Sequence, residues 1–277
     1  MHGNTTTTQR QPPSLPPRAE LRKRVLSRRS DRLVNASRAE VRLWLQRTLA
    51  LREGHALNHI RWLQFALGRW FFNTDDGMHG AELWETDLTV DGTLMVRDIR
   101  PGSAGSFPHH KCEYRGRIYF AADDGAHGTE PWVSDGTPGG THLFVDAYPG
   151  PRGSFAQGML ACGAALFFAA SNPLHGYELW VSDGTEAGTH VLDDLTPGHA
   201  SSQLGDMACA DGVLHFTLHG RYRYRSDGTR RGTRVLSESE GGPRTELRRQ
   251  LAETLQPPTP PLAAPWPCAQ PGLRVSD

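Results

Sequence analysis

The chain has 277 residues and a formal net charge of zero, 30 Lys/Arg against 30 Asp/Glu, and is long enough for one or two ordinary domains with a real core. The charge is segregated: residues 1–57 hold 12 basic and 4 acidic side chains, residues 58–240 hold 14 and 23, and residues 241–277 hold 4 and 3. An acidic middle of about −9 argues against a nucleic-acid-binding core, which needs a positive face, and no run approaches the ~18–20 apolar residues of a membrane span.

The first 30 residues are polar, rich in Pro and Arg, and lack the apolar centre of a signal peptide. As written, the chain is therefore expected to stay in the cytoplasm. The rest of the 1–57 segment contains "RAEVRLWLQRTLALREG", which places Val41, Leu43, Trp44, Leu45 and Leu49 on a mixed helical face. A short basic helix is expected there, with a partly disordered leader before it.

Residues 58–240 repeat with a period of 48. Trp84, Trp132 and Trp180 keep it, as do Glu82, Glu130 and Glu178, and His79, His127 and His175. Phe72, Phe120, Phe168 and Phe216 carry it into a fourth copy, which then loses four residues, the histidine loop and the Trp, so that Tyr224 stands in its place. The copies span approximately 60–107, 108–155, 156–203 and 204–240. In the second, strands are expected at 109–114, 117–122, 129–134 and 141–146, separated by Gly- and Asp-rich turns. Four antiparallel strands in about 48 residues is the size of one β-propeller blade. The expected fold is all-β, a partial or four-bladed propeller of these repeats. Residues 241–277, ending in "PPTPPLAAPWPCAQPG", read as a disordered Pro-rich tail.

The repeated residues read first as structure. In "SDGTEAGT", Asp183 accepts hydrogen bonds from its own downstream backbone and Gly184 supplies a positive φ; Asp135–Gly136 and Asp227–Gly228 are the same device. One carboxylate per turn falls short of the six to eight oxygens that calcium takes, so no metal or cofactor is expected. Trp84, Trp132 and Trp180 are expected to fill the space between neighbouring sheets rather than to form a sugar-stacking platform. Glu82, Glu130 and Glu178 lie two residues before each Trp, on the same strand face, and are expected to cap the amides of a neighbouring turn. Such symmetric carboxylates make a poor acid–base pair. His79, His127 and His175 sit in the loop between the second and third strands and read as loop structure, with a metal or ligand role the weaker alternative. The four cysteines show neither a C-x-x-C pair nor zinc spacing. No G-x-S-x-G, phosphate-cradling glycine loop or H-E-x-x-H occurs. The asymmetric run Arg221–Tyr222–Arg223–Tyr224–Arg225 reads as a charged edge strand.

The phrase "YFAADDGAHGTEPWVSDGTPGGT" resembles the ELWxxDGT repeat of bacterial secreted and surface proteins. The resemblance covers residues 60–237, departs at Pro131 and at "TDLTVDG" of the first copy, and is lost at the His loop and Trp of the fourth. The turn is also similar to the Asp-box hairpins of sialidase propellers. The resemblance implies an extracellular or cell-surface module for adhesion or ligand binding, not an enzyme, whose partner is a protein or carbohydrate. Two alternatives stand beside it: a glycan-active enzyme on a propeller scaffold, and a truncated, non-functional fragment of a longer repeat protein.

Overall fold

Each copy of the repeat folds into an antiparallel meander because its strands are joined by turns too short for anything but hairpins. The computed structural model describes residues 36–49 and 58–236; the Pro/Thr-rich leader and the Pro-rich tail lie outside the described residues. The first sheet orders β1 (Asn58–Ala66), β2 (Arg69–Asp75), β3 (Ala81–Thr86) and β4 (Thr93–Arg97). The second comprises β5 (His109–Tyr114), β6 (Arg117–Asp123), β7 (Thr129–Ser134) and β8 (His142–Leu143). The third holds β9 (Gln157–Cys162), β10 (Ala165–Asn172), β11 (Gly176–Ser182) and β12 (His190–Val191), and the fourth β13 (Leu204–Ala210), β14 (Val213–Leu218), β15 (Tyr222–Ser226) and β16 (Arg234–Val235). All pairings are antiparallel and sequential. The fold is thus all-β, with four propeller-like sheets. The first two belong to one compact unit, ending at Phe155, and the last two to a second, beginning at Ala156.

The first and second strands meet through two-residue turns. Leu67–Gly68, Arg115–Gly116 and Asp211–Gly212 have positive φ at both positions, the type I′ geometry whose twist matches that of the strands. In register across the second and third strands stand Phe72 and Trp84, Phe120 and Trp132, Phe168 and Trp180, and Phe216 and Tyr224. The last two pairs stack at interplanar angles of 19°. Tyr224 therefore takes the place of the missing Trp.

The fourth strand is shorter than its apolar pattern suggests. In the second sheet it pairs for two residues, not six; Phe144 N–H then reaches Pro131 O at 2.8 Å and the chain leaves the ladder. The next amides, of Ala147 and Tyr148, go to the Glu130 carboxylate instead of to backbone carbonyls. The Arg-rich run differs as well: β15 is no edge strand but lies between β14 and β16.

In the first unit, Phe71, Leu83, Val96 and Ile99 of the first repeat pack with Ile118, Phe120, Ala122 and Trp132 of the second. The opposite face of the first sheet, carrying Trp70, Phe72 and half-buried Trp84, is covered by helix α1 (Arg38–Leu49) through Val41 and Leu45. Ser37 and Glu40 form a reciprocal capping box, each backbone N–H donating to the other's side chain (2.7 and 3.2 Å), which fixes where α1 begins. Leu43 points to solvent at 46 % exposure. In the second unit, Phe167, Leu179 and Val181 pack against Leu214 and Phe216. A disulfide joins Cys162 at the end of β9 to Cys209 in β13, with Cα atoms 5.4 Å apart. Among the described residues no helix is long and apolar enough to cross a membrane.

Candidate functional site

The repeated polar residues form two networks: a turn network in all four repeats and a glutamate network in the first three. In the turn between the third and fourth strands, Asp183 Oδ1 accepts from the Thr185 amide (2.8 Å) and hydroxyl (2.7 Å). Gly188 N–H donates to Thr185 Oγ1 at 3.0 Å, and the Ser182 and Thr189 hydroxyls pair at 2.7 Å. The same contacts recur around Asp135 and Asp227. Hydrogen bonds from Thr137 and Thr229 hold the Asp135 and Asp227 carboxyls below the usual range. Gly136, Gly184 and Gly228 sit at φ 90, 93 and 91°. The first copy keeps the network despite its altered sequence, with Thr86 for Ser and Leu88 at φ 62° for Gly.

The second network is built on the buried glutamates, each fully enclosed. Glu82 accepts from the amides of Ile99, Arg100 and Ser106 at 3.3, 3.2 and 2.9 Å. Glu130 accepts from Ala147 and Tyr148 and from the Ser154 hydroxyl at 2.6 Å. Glu178 accepts from Leu195 and from the Ser202 hydroxyl. Burial pushes the Glu130 carboxyl up to about 7 against the pull of these donors, and Glu82 and Glu178 rise for the same reason. Each glutamate thus ties down the link that leads to the next repeat.

The repeated histidines cap loops. Nδ1 of His79 and of His127 lies 2.7 Å from Asp76 and Asp124, whose Oδ1 atoms accept the histidine amides at 2.9 Å. The paired aspartates raise both imidazoles above the ordinary histidine range. In the third copy Asn172 replaces the aspartate, and His175 turns to Asp194 at 3.2 Å. Among the described residues no three His, Cys, Asp or Glu side chains form a group able to hold a metal. Trp132 and Trp180 are buried, Trp180 donating its indole N–H to Ala170 O at 3.0 Å.

What the sequence did not signal is a set of residues that differ from copy to copy. In every sheet the first strand carries a β-bulge, marked by a register break against the second strand. The bulged residues are Trp62, His110, Gly158 and Asp206, with φ of 55, 52, 68 and 49°. Only glycine adopts this region without strain. In the first unit the bulges of β1 and β5 come together: the rings of Trp62 and His110 are 6.0 Å apart, and His109 lies edge-on to His110 at 5.0 Å. His109 Nδ1 lies 2.8 Å from Phe107 O. Lys111 donates to Asn73 Oδ1 and, at 3.0 Å, to Pro108 O, which also accepts from the Asn73 amide.

This basic cluster sits in an acidic segment, and among the described residues no carboxylate pairs with it. Burial pushes Lys111 well below an ordinary lysine. Burial also lowers His109 against the pull of Phe107 O, and burial followed by the charges of His109 and Lys111 brings His110 down to about 4. Trp62 remains 45 % exposed. A pattern search finds none of this, because Trp, His, Gly and Asp share no turn signature.

Fold and networks together define an all-β repeat protein of propeller-like four-stranded sheets. No family model matches the chain, and no curated protein does. Among solved structures, the computationally designed Ika8 protein is similar over 67 % of this chain and 50 % of its own, at 14 % identity and TM-score 0.39. The computationally designed Ika4 protein is similar over 64 % of this chain and 90 % of its own, at 15 % identity and TM-score 0.35. The chain spans half the length of the Ika8 protein.

Proposed function

We propose that this chain is a non-catalytic binding module of the ELWxxDGT-repeat kind, acting outside the cell or on its surface. One observation carries this reading. The side chains locked to the repeat are engaged in their own turns and links, so they serve folding, and ligand recognition falls to the residues that vary between copies. The Cys162–Cys209 disulfide supports an extracellular setting, since such bonds persist in oxidising compartments. The partner is a carbohydrate or a protein.

The test is retention of the oxidised full chain on immobilised glycans and matrix proteins, with the retained ligand weighed before and after. Saturable retention of an unaltered ligand is the expected result. Cleavage of the ligand would show an enzyme, and no retention on any surface would remove the binding reading.

A further inference from the structure

We propose that Trp62 and His110 form a binding site for an acidic sugar, a hexuronate unit of an anionic polysaccharide, with His109 and Lys111 as positioning residues. The proposal deepens the binding reading above by naming the ligand class and the place.

Three features of the site define its ligand. Trp62 and His110 occupy bulges whose left-handed backbone is strained for an L-residue, yet both are large, and neither caps a turn or fills a core. The bulge itself belongs to every repeat, but the third and fourth copies fill it with Gly158 and Asp206, so two large rings kept facing each other at strained positions mark a site rather than packing. Second, three basic side chains stand together, and among the described residues no carboxylate pairs with them. Lys111 is anchored by Asn73 and Pro108 and His109 by Phe107, whereas among the described residues no hydrogen bond engages the His110 ring. His110 is therefore the group able to meet an anion. Burial first, and the neighbouring basic groups second, hold the His110 imidazole unprotonated; an anion docked against the ring opposes both, so docking favours its protonation. Third, the exposed indole beside that imidazole offers a flat apolar face next to a donor, which suits a pyranose ring bearing a carboxylate. A bare inorganic anion would make no use of the indole.

The groups facing His110 are Trp62 from β1 and, on its own strand, His109 and Lys111; from β6, Ala121 stands opposite His109. None of these is acidic. The imidazole must gain a proton to bind, so affinity falls as pH rises, by up to about tenfold per pH unit.

The experiment titrates the oxidised full chain with oligogalacturonate, following tryptophan fluorescence and calorimetry at about pH 5.5 and about pH 7.5, within the range where histidine charge changes. Neutral oligogalactose and a polyglutamate peptide serve as comparison ligands. Trp62→Asn and His110→Asn are the variants, because asparagine tolerates the left-handed backbone and leaves the bulge intact. Expected are binding of oligogalacturonate alone, tighter at the lower pH, and a loss of at least about tenfold in each variant, roughly 1.4 kcal/mol. His110→Arg should restore affinity and abolish its pH dependence. Equal binding of oligogalactose, a preference for polyglutamate, or unchanged affinity in both variants would overturn the assignment. Should oligogalacturonate fail while another surface retains the chain, the acidic-sugar site falls and the binding module stands.

Discussion

Two separate demands explain why the repeat spells out two glycines in each Asp-Gly-Thr turn. Gly136 supplies the positive φ; Gly140 is required for a different reason. A Cβ at Gly140 would stand 2.0 Å from Asp135 Oδ1, and the same clash arises at Gly92, Gly188 and Gly232. Gly140→Ala should therefore cost about 2–3 kcal/mol by urea denaturation, through displacement of the carboxylate from Thr137. Adding Asp135→Ala should cost much less than the sum of the two single changes, since the clash and the bond vanish together. The first half of this turn is legible in sequence, because Asp-Gly is a turn signal; the steric need for the second glycine appears only once the carboxylate is placed. Glu130 leads to a second expectation. Its carboxyl is raised from 4.5 to about 7 by burial, so between those values the folded state holds more protons than the unfolded chain. Stability is then fully present below the unfolded value and is lost as pH rises through the folded one. His79 and His127, raised by their aspartates, act in the same direction. The melting temperature should accordingly be higher at about pH 5.5 than at about pH 8, and Glu130→Gln should flatten that slope.

At the level of elements, the four second strands show how one pattern serves different surroundings. β6 and β10 are buried on both faces over "IYFAA" and "LFFAA", whereas β14 alternates buried and half-buried residues as "VLHFTL". That alternation belongs to a sheet with one packed face; it was present in the sequence but was outweighed there by the lost Trp and loop. Helix α1 was legible only in part. Its existence follows from the apolar spacing, but its packing on the first sheet follows from Val41 and Leu45 meeting Trp70 and Phe72, and no local pattern announces a partner so distant in sequence. Leu45→Asp should expose α1 amides to hydrogen exchange and destabilise the first unit by about 3 kcal/mol or more. Trp180→Ala, which leaves Phe168 without its stacking partner, should cost about 3–5 kcal/mol in thermal or urea unfolding. Unchanged stability there, with binding to sugars lost, would instead make Trp180 a platform.

On the scale of the whole molecule, the 48-residue period revealed four copies but gave no sign that the chain divides at Phe155. The Pro-Gly link at 149–150 is spelled like those at 101–102 and 197–198, so the division rests on packing alone. The disulfide was equally silent: Cys162 and Cys209 are 47 residues apart, one step off the period, and match no cysteine motif. Because it closes a loop within the second unit, reduction should lower the stability of residues 156–236 by about 2–4 kcal/mol. Hydrogen exchange should find residues 58–155 unaffected, and equal loosening of both units would show that they unfold as one. The bulges of the first strands have a consequence for how such a chain diversifies. Their backbone shape is set by the ladders, while the side chain there is Trp in one copy, His in the next, then Gly, then Asp. Duplication of a repeat thus hands on a finished frame together with one position open to change. A new specificity can then begin with a single codon, and the turns and buried glutamates that hold the frame need not be reinvented.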